Sequence, residues 1–204
     1  MTVIKLCGLC TKEDAIAAGL AKPDIAGMIL SSGFRRSITE EKARSIRKAL
    51  DQEIALAGVF VNEPAESIIS FVRNGIIDLV QLHGTEDEAC LQHLRTALPG
   101  ITLIKAFRIQ TAEDLRNAEQ SSADRILLDG GTGEGKTFDW RLLQGCGREY
   151  ILAGGLTPEN VQQAIAFLHP YGVDTSSGIE TGGRKDPEKM KAFVRAVREE
   201  EKRK

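Results

Sequence analysis

The chain has 204 residues, 42% apolar and 27% charged, with 27 Lys and Arg against 29 Asp and Glu for a net charge of −2. That balance offers no basic footprint for nucleic acid, and no apolar run approaches the ~18 residues of a membrane span. Four cysteines in a chain of this length do not make a disulfide scaffold, which points to a reducing compartment. The length fits one domain covering residues 1–204. The opening Met1–Cys7 reads as a strand rather than a leader peptide. The expectation is a cytoplasmic protein, monomer or homodimer, with a small-molecule substrate and no membrane or nucleic-acid partner.

In chain order, Val3–Leu6 is followed by Thr11 three residues ahead of Asp14. This is a helix-start box in which hydroxyl and carboxylate each serve the other's backbone N–H. Ile25–Leu30 precedes Thr39-Glu40-Glu41, a cap with first-turn acids. Ile54–Val61 leads to Glu63-Pro64, where proline suits a first helical turn. Leu79–Leu82 is followed by Thr85 and Glu88 at box spacing, and Ile101–Phe107 by Thr111 and Asp114. Arg125–Leu128 is followed by glycine-rich sequence and then only Trp140–Leu143, at most a short helical turn before Gly145 and Gly147. Tyr150–Ala153 runs into Gly154-Gly155-Leu156, after which Thr157-Pro158-Glu159-Asn160 is predicted to open a helix. Gly172–Thr175 runs into Ser176-Ser177-Gly178 and the later Asp186-Pro187 cap.

Most of these runs lack polar alternation, as expected of parallel strands buried on both faces. Eight strand-then-helix units with no linker predict an α/β fold. The form expected is a single compact (β/α)8 TIM barrel with a short or irregular sixth helix; an open doubly wound sheet is the alternative. Barrels usually take ~250 residues, so little chain is left for lids and the site should be built from short loops.

Chemistry in a barrel gathers at the C-terminal ends of its strands. Cys7, Gln81, His83, Asp129 and Asp174 fall there. Glycines and hydroxyls at Gly154-Gly155 and Ser176-Ser177-Gly178 sit where backbone N–H groups can hold a phosphate; otherwise they only make tight turns. Gly130–Thr137 satisfies the nucleotide-binding string G-x-x-x-x-G-K-[ST], but no substantial helix follows it and Asp129 would face the phosphates. Cys7-Gly8-Leu9-Cys10 suggests a redox pair or half a zinc site, yet Cys90, Cys146, His83, His93 and His169 form no second pair to complete it. Cys7 and Asp129 facing each other across a barrel mouth suit a base and an acid. Each also has a plain reading, as a small buried apolar residue and a loop-capping acid. Arg36 beside Arg35 is either a carboxylate clamp or a solvated loop residue.

These residues in this order resemble the phosphoribosylanthranilate isomerase family over essentially the whole chain. The opening Lys5-Leu6-Cys7-Gly8 looks like the family's first strand. Gly58-Val59-Phe60-Val61-Asn62 and Val80-Gln81-Leu82-His83-Gly84 look like its third and fourth. Asp129, Gly131-Thr132-Gly133 and Phe138-Asp139-Trp140 are similar to its sixth unit, Ala153–Leu156 with Pro158–Val161 to its seventh. Asp174, Ser176–Glu180 and Gly183–Asp186 are similar to its eighth. Against that pattern the nucleotide-loop string is a variant of the sixth loop.

The resemblance implies an Amadori rearrangement of N-(5-phosphoribosyl)anthranilate in tryptophan biosynthesis, without metal or organic cofactor. It implies Asp129 as general acid, Cys7 as general base and Arg36 on the anthranilate carboxylate. It also implies Gly154, Gly155, Ser176, Ser177 and Gly178 around the phosphate, with Gln81, His83 and Asp174 against the sugar. Three departures stand out. Gly27-Met28-Ile29-Leu30 lacks two aromatics that are common in the family, and Gly33-Phe34-Arg35 replaces the usual approach to the carboxylate arginine. Cys10 stands where the family frequently has Thr, and a Cys7–Cys10 disulfide formed on oxidation would silence the base.

Overall fold

The computed structural model describes residues 1–130 and 139–202. Eight parallel strands close into a barrel in chain order: β1 (Val3–Leu6), β2 (Ile25–Ile29), β3 (Ala55–Phe60), β4 (Leu79–Leu82), β5 (Thr102–Arg108), β6 (Arg125–Asp129), β7 (Tyr150–Ala153) and β8 (Gly172–Thr175). Closure comes from β1 against β8, in register from Val3↔Gly172 to Leu6↔Thr175. The open-sheet alternative is thereby ruled out. Among the described residues seven α-helices wrap the barrel: α1 (Lys12–Ala21), α2 (Glu40–Ala49), α3 (Ala65–Arg73), α4 (Glu88–Ala97), α5 (Ala112–Glu119), α6 (Val161–Leu168) and α7 (Pro187–Glu201). Between β6 and β7 the described residues hold only a 3-10 turn, Trp140–Leu143, matching the short sixth helix expected. The nucleotide-like string from Gly131 onward, and Phe138, lie outside the described residues.

Local chemistry accounts for the helix starts. Thr11 and Thr111 form full capping boxes with Asp14 and Asp114, and Asp186 caps α7 with Pro187 in its first turn. Two expected starts are displaced. Thr85 does not cap α4; Asp87 does, accepting from Cys90 N at 2.9 Å. The reason is tertiary. Glu86 is drawn into a buried ion pair with Lys105 at 2.9 Å, and Thr85 N donates to Asn62 Oδ1 at 2.8 Å. Likewise Thr157–Asn160 makes a turn of its own, with Thr157 N donating to Asn160 Oδ1, and α6 begins only at Val161.

Two apolar layers hold the barrel. A large one fills the space between strands and helices, and a small one inside contains Ile104, Ala106, Leu127, Ile151 and Ala153. Side chains alternate along a strand, so every second residue faces the barrel axis. Near the C-terminal ends the inward positions are Cys7, Ile29, Val59, Gln81, Asp129, Ala153 and Asp174, and all of these line one cavity.

Candidate active site

The cavity, of about 360 Å³, opens at the C-terminal mouth of the barrel. Among the residues expected at the site, it is lined by Cys7, Arg36, Gln81, His83, Asp129, Gly154, Gly155, Asp174, Ser176 and Ser177. Gly178 stands behind this wall. A Cβ there would lie 1.9 Å from the Leu156 carbonyl oxygen and 2.8 Å from Thr175 Oγ1, so only glycine lets the β7 and β8 loops meet this closely. Thr175 Oγ1 donates to Leu156 O at 2.7 Å and ties the same two loops.

Cys7 directly follows β1 and is buried. Its N–H donates to Thr175 O at 2.8 Å and its carbonyl accepts from Ser176 Oγ at 3.0 Å, which fixes the backbone beneath the thiol. Gly8 turns the chain with φ +79°; a Cβ there would meet Arg36 Cδ at 2.7 Å and Ser176 Oγ at 2.8 Å. β6 carries Asp129 three strands away around the ring, so Cys7 and Asp129 line one cavity from different sides.

Gln81 and His83 approach Asp129 together. Gln81 Nε2 donates to His83 Nδ1 at 2.9 Å, which leaves His83 Nε2 to carry the proton of a neutral ring. That nitrogen lies 3.7 Å from Asp129 Oδ2, outside direct hydrogen-bond range. Gln81 is almost fully buried, and among the described residues its Oε1 has no hydrogen-bond partner. A buried acceptor left open in a cavity wall suits a ligand hydroxyl. The turn holding His83 is braced from behind, as Lys105 Nζ donates to Gly84 O at 2.7 Å and Glu86 accepts from Gly84 N at 2.9 Å.

Arg36 reaches the cavity already held by a residue that the sequence offered only within a family-like motif and without a role. Glu180 accepts from Arg36 Nε at 2.6 Å and from its Nη2 at 3.2 Å, from Arg35 at 2.6 Å and from Lys185 at 2.8 Å. Burial alone would raise the Glu180 carboxyl. The bonds from Arg36, Lys185 and Arg35 outweigh it and bring the pKa down to about 2. Glu180 sits in β9 (Glu180–Thr181), which pairs antiparallel with β10 (Arg184–Lys185). Lys185 Nζ also donates to Ser176 O at 2.8 Å, and burial pushes that ammonium's pKa down. The signal for this cluster was limited to one acid between basic pairs far apart in sequence.

Asp174 meets Lys5, another residue to which the sequence reading gave no part. Lys5 Nζ donates to Asp174 Oδ1 at 2.9 Å. A lysine inside a buried strand, two residues before Cys7, was the available signal.

The apolar side of the mouth is made by Ile29, Val59, Val61 and Phe34. Met28, at a position where the family commonly has an aromatic, is buried in the outer core and does not reach the cavity. Phe34, half exposed at the rim, supplies an aromatic from the loop instead. The four cysteines are free thiols, and Cys10 Sγ points to Gly8 O at 3.4 Å. Among the described residues no cluster of three or more His, Cys, Asp or Glu is placed to hold a metal ion, and no helix is long and apolar enough to cross a membrane.

Comparison with known proteins bears on what such a cavity does. The model of the N-(5'-phosphoribosyl)anthranilate (PRA) isomerase family matches residues 4–196. An N-(5'-phosphoribosyl)anthranilate isomerase of Acetivibrio thermocellus is 42% identical over 212 residues, covering 98% of this chain and 97% of its own. The crystal structure of phosphoribosylanthranilate isomerase from Thermotoga maritima superposes with a TM-score of 0.88 at 34% identity, covering 98% of this chain and 100% of the other. A phosphoribosylanthranilate isomerase in complex with reduced 1-(o-carboxyphenylamino)-1-deoxyribulose 5-phosphate superposes with a TM-score of 0.86 at 33% identity, with the same coverage.

Proposed function

The chain belongs to the N-(5'-phosphoribosyl)anthranilate isomerase family, and on that premise we propose how its cavity carries out the family's reaction. The reaction is the Amadori rearrangement of N-(5'-phosphoribosyl)anthranilate to 1-(o-carboxyphenylamino)-1-deoxyribulose 5-phosphate, a step of tryptophan biosynthesis. In class it is an aldose–ketose isomerisation, an internal oxidation and reduction. The observation that carries the assignment of roles is that a thiol and a carboxyl, Cys7 and Asp129, line one cavity from different sides of the barrel mouth.

Asp129 gives its proton to the furanose ring oxygen as the C1′–O bond breaks, leaving a protonated imine at C1′. The Cys7 sulfur, as thiolate, takes the proton from C2′. The C–H electron pair becomes a C1′–C2′ double bond and the imine nitrogen is neutralised. That nitrogen acts as an electron sink, so a modest base suffices. Proton transfer from the C2′ hydroxyl to C1′ then gives the ketone.

The other residues hold the substrate. Arg36, oriented by Glu180 through Nε and one Nη2 proton, offers its remaining N–H groups to the anthranilate carboxylate. The anthranilate ring rests against Phe34, Val59 and Ile29. The phosphate is held by the loops at Gly154-Gly155 and Ser176-Ser177-Gly178, where backbone donors face a dianion. The open Gln81 Oε1 accepts from a sugar hydroxyl, with His83 and Asp174 beside it. No cofactor enters this scheme. A single domain, residues 1–204, acting in the cytoplasm as monomer or homodimer, completes the proposal.

Cys7→Ala and Asp129→Asn test the roles. Each should reduce turnover to background while a reduced product analogue still binds within a few-fold of wild type, because the lost contacts act on the barrier. Near-normal turnover in either variant would remove that residue's role.

A further inference from the structure

We propose that Lys5 is a positioning residue for Cys7: its buried ammonium, anchored by Asp174, holds the sulfur as a thiolate at the cavity floor. This rests on the reading of Cys7 as the base. Lys5 and Cys7 are two residues apart on one strand direction, so both side chains face into the barrel. Lys5 has no exposed surface, an unusual fate for lysine unless it is paired. Its one ion-pair partner within 4 Å among the described residues is Asp174, at 2.9 Å.

The neighbouring strand makes room for both groups. Gly27 lies on β2 beside them, and a Cβ there would fall 2.9 Å from Cys7 Sγ and 3.1 Å from Lys5 Nζ. Sulfur and ammonium therefore flank a single point and lie no farther apart than those two distances together. Any side chain at position 27 would crowd both groups. Burial alone would lower the pKa of Lys5, but the Asp174 carboxylate and the Cys7 sulfur reverse the direction and keep the ammonium charged.

Other charges near Cys7 come from two further elements. Lys185 on β10 exerts a field on the sulfur, and Arg36 enters the same cavity from the loop after β2. Both are already paired with Glu180. Lys5 faces one carboxylate and the Cys7 thiol, so part of its charge falls to the sulfur when Cys7 ionises, beside the field of Lys185. During the reaction the thiolate becomes a thiol on taking the C2′ proton, while Lys5 stays an ammonium throughout.

The test reads the thiol separately from turnover. Lys5→Met leaves Asp174 as a buried uncompensated anion, so Lys5→Met/Asp174→Asn, which removes the pair together, accompanies it. Alkylation of Cys7 by iodoacetamide at pH 7.5 is followed by mass mapping, with Cys90 and Cys146 as internal references. In the folded double variant Cys7 should react roughly tenfold or more slowly, recovering as the pH is raised, while the reference thiols stay within about twofold. In Lys5→Met, kcat should fall much further than KM rises. Cys7 reacting within about twofold of wild type in the double variant would overturn the proposal. Slowed alkylation with undiminished turnover in Lys5→Met would support the Lys5–Cys7 coupling and instead remove Cys7 as the base.

Discussion

Glu180→Gln tests the electrostatic frame of the site. The substitution keeps size and one acceptor oxygen but removes the charge that Arg36, Arg35 and Lys185 share. The carboxyl's pKa falls from 4.5 to about 2 in the folded chain, and its side chain is only 6% exposed, so solvent screening discounts little. At about 1.4 kcal/mol per tenfold, that fall corresponds to roughly 3 kcal/mol of stabilisation. The folded pKa is depressed, so this contribution is complete above pH 4.5 and is lost as the pH falls toward 2. Urea unfolding followed by the fluorescence of Trp140, the chain's one tryptophan, gives the free energies. Wild type should exceed Glu180→Gln by roughly 3 kcal/mol at pH 7, with the gap closing between about pH 5 and pH 2. KM should rise as well, because Arg36 loses the bidentate partner that aims it. A gap below about 1 kcal/mol at pH 7, or one that does not change down to pH 2.5, would refute the reasoning.

Arg36→Ala removes a charge-assisted pair to the substrate carboxylate, worth about 1.5–3 kcal/mol; KM should rise roughly tenfold to a hundredfold with kcat far less affected, in steady-state fluorescence kinetics. Phe34→Ala should raise KM several-fold, up to about tenfold, through lost ring contact, and Phe34→Leu should recover part of it. An unchanged KM in Phe34→Ala would place the anthranilate ring elsewhere.

The barrel was readable because its strands are short apolar runs between strong punctuation. β1, β4, β7 and β8 fall on the very residues expected, and the weak sixth unit is the 3-10 turn at Trp140–Leu143. Misses arose where distant partners took residues away from local duty. Thr85 was drawn to Asn62 and Glu86 to Lys105, which passed the α4 cap to Asp87. The site divides in the same way. Cys7, Asp129, Gln81 and Asp174 were visible because strand ends in a barrel must converge. Glu180 was not, because its meaning comes from Arg35 and Arg36, about 145 positions earlier in the chain. Lys5 was quoted only as part of a motif; its chemistry appears once β8 brings Asp174 alongside and Gly27, without a Cβ, leaves room for Lys5 and Cys7 beside it. Phe34 shows the reverse case, an aromatic lost from a strand position and replaced from a loop.

The most direct test is turnover itself. Purified protein mixed with freshly prepared N-(5'-phosphoribosyl)anthranilate should remove the substrate's fluorescence catalytically, giving a ketose phosphate as product, and the activity should persist after treatment with a metal chelator. No turnover by the folded wild-type chain would contradict the account.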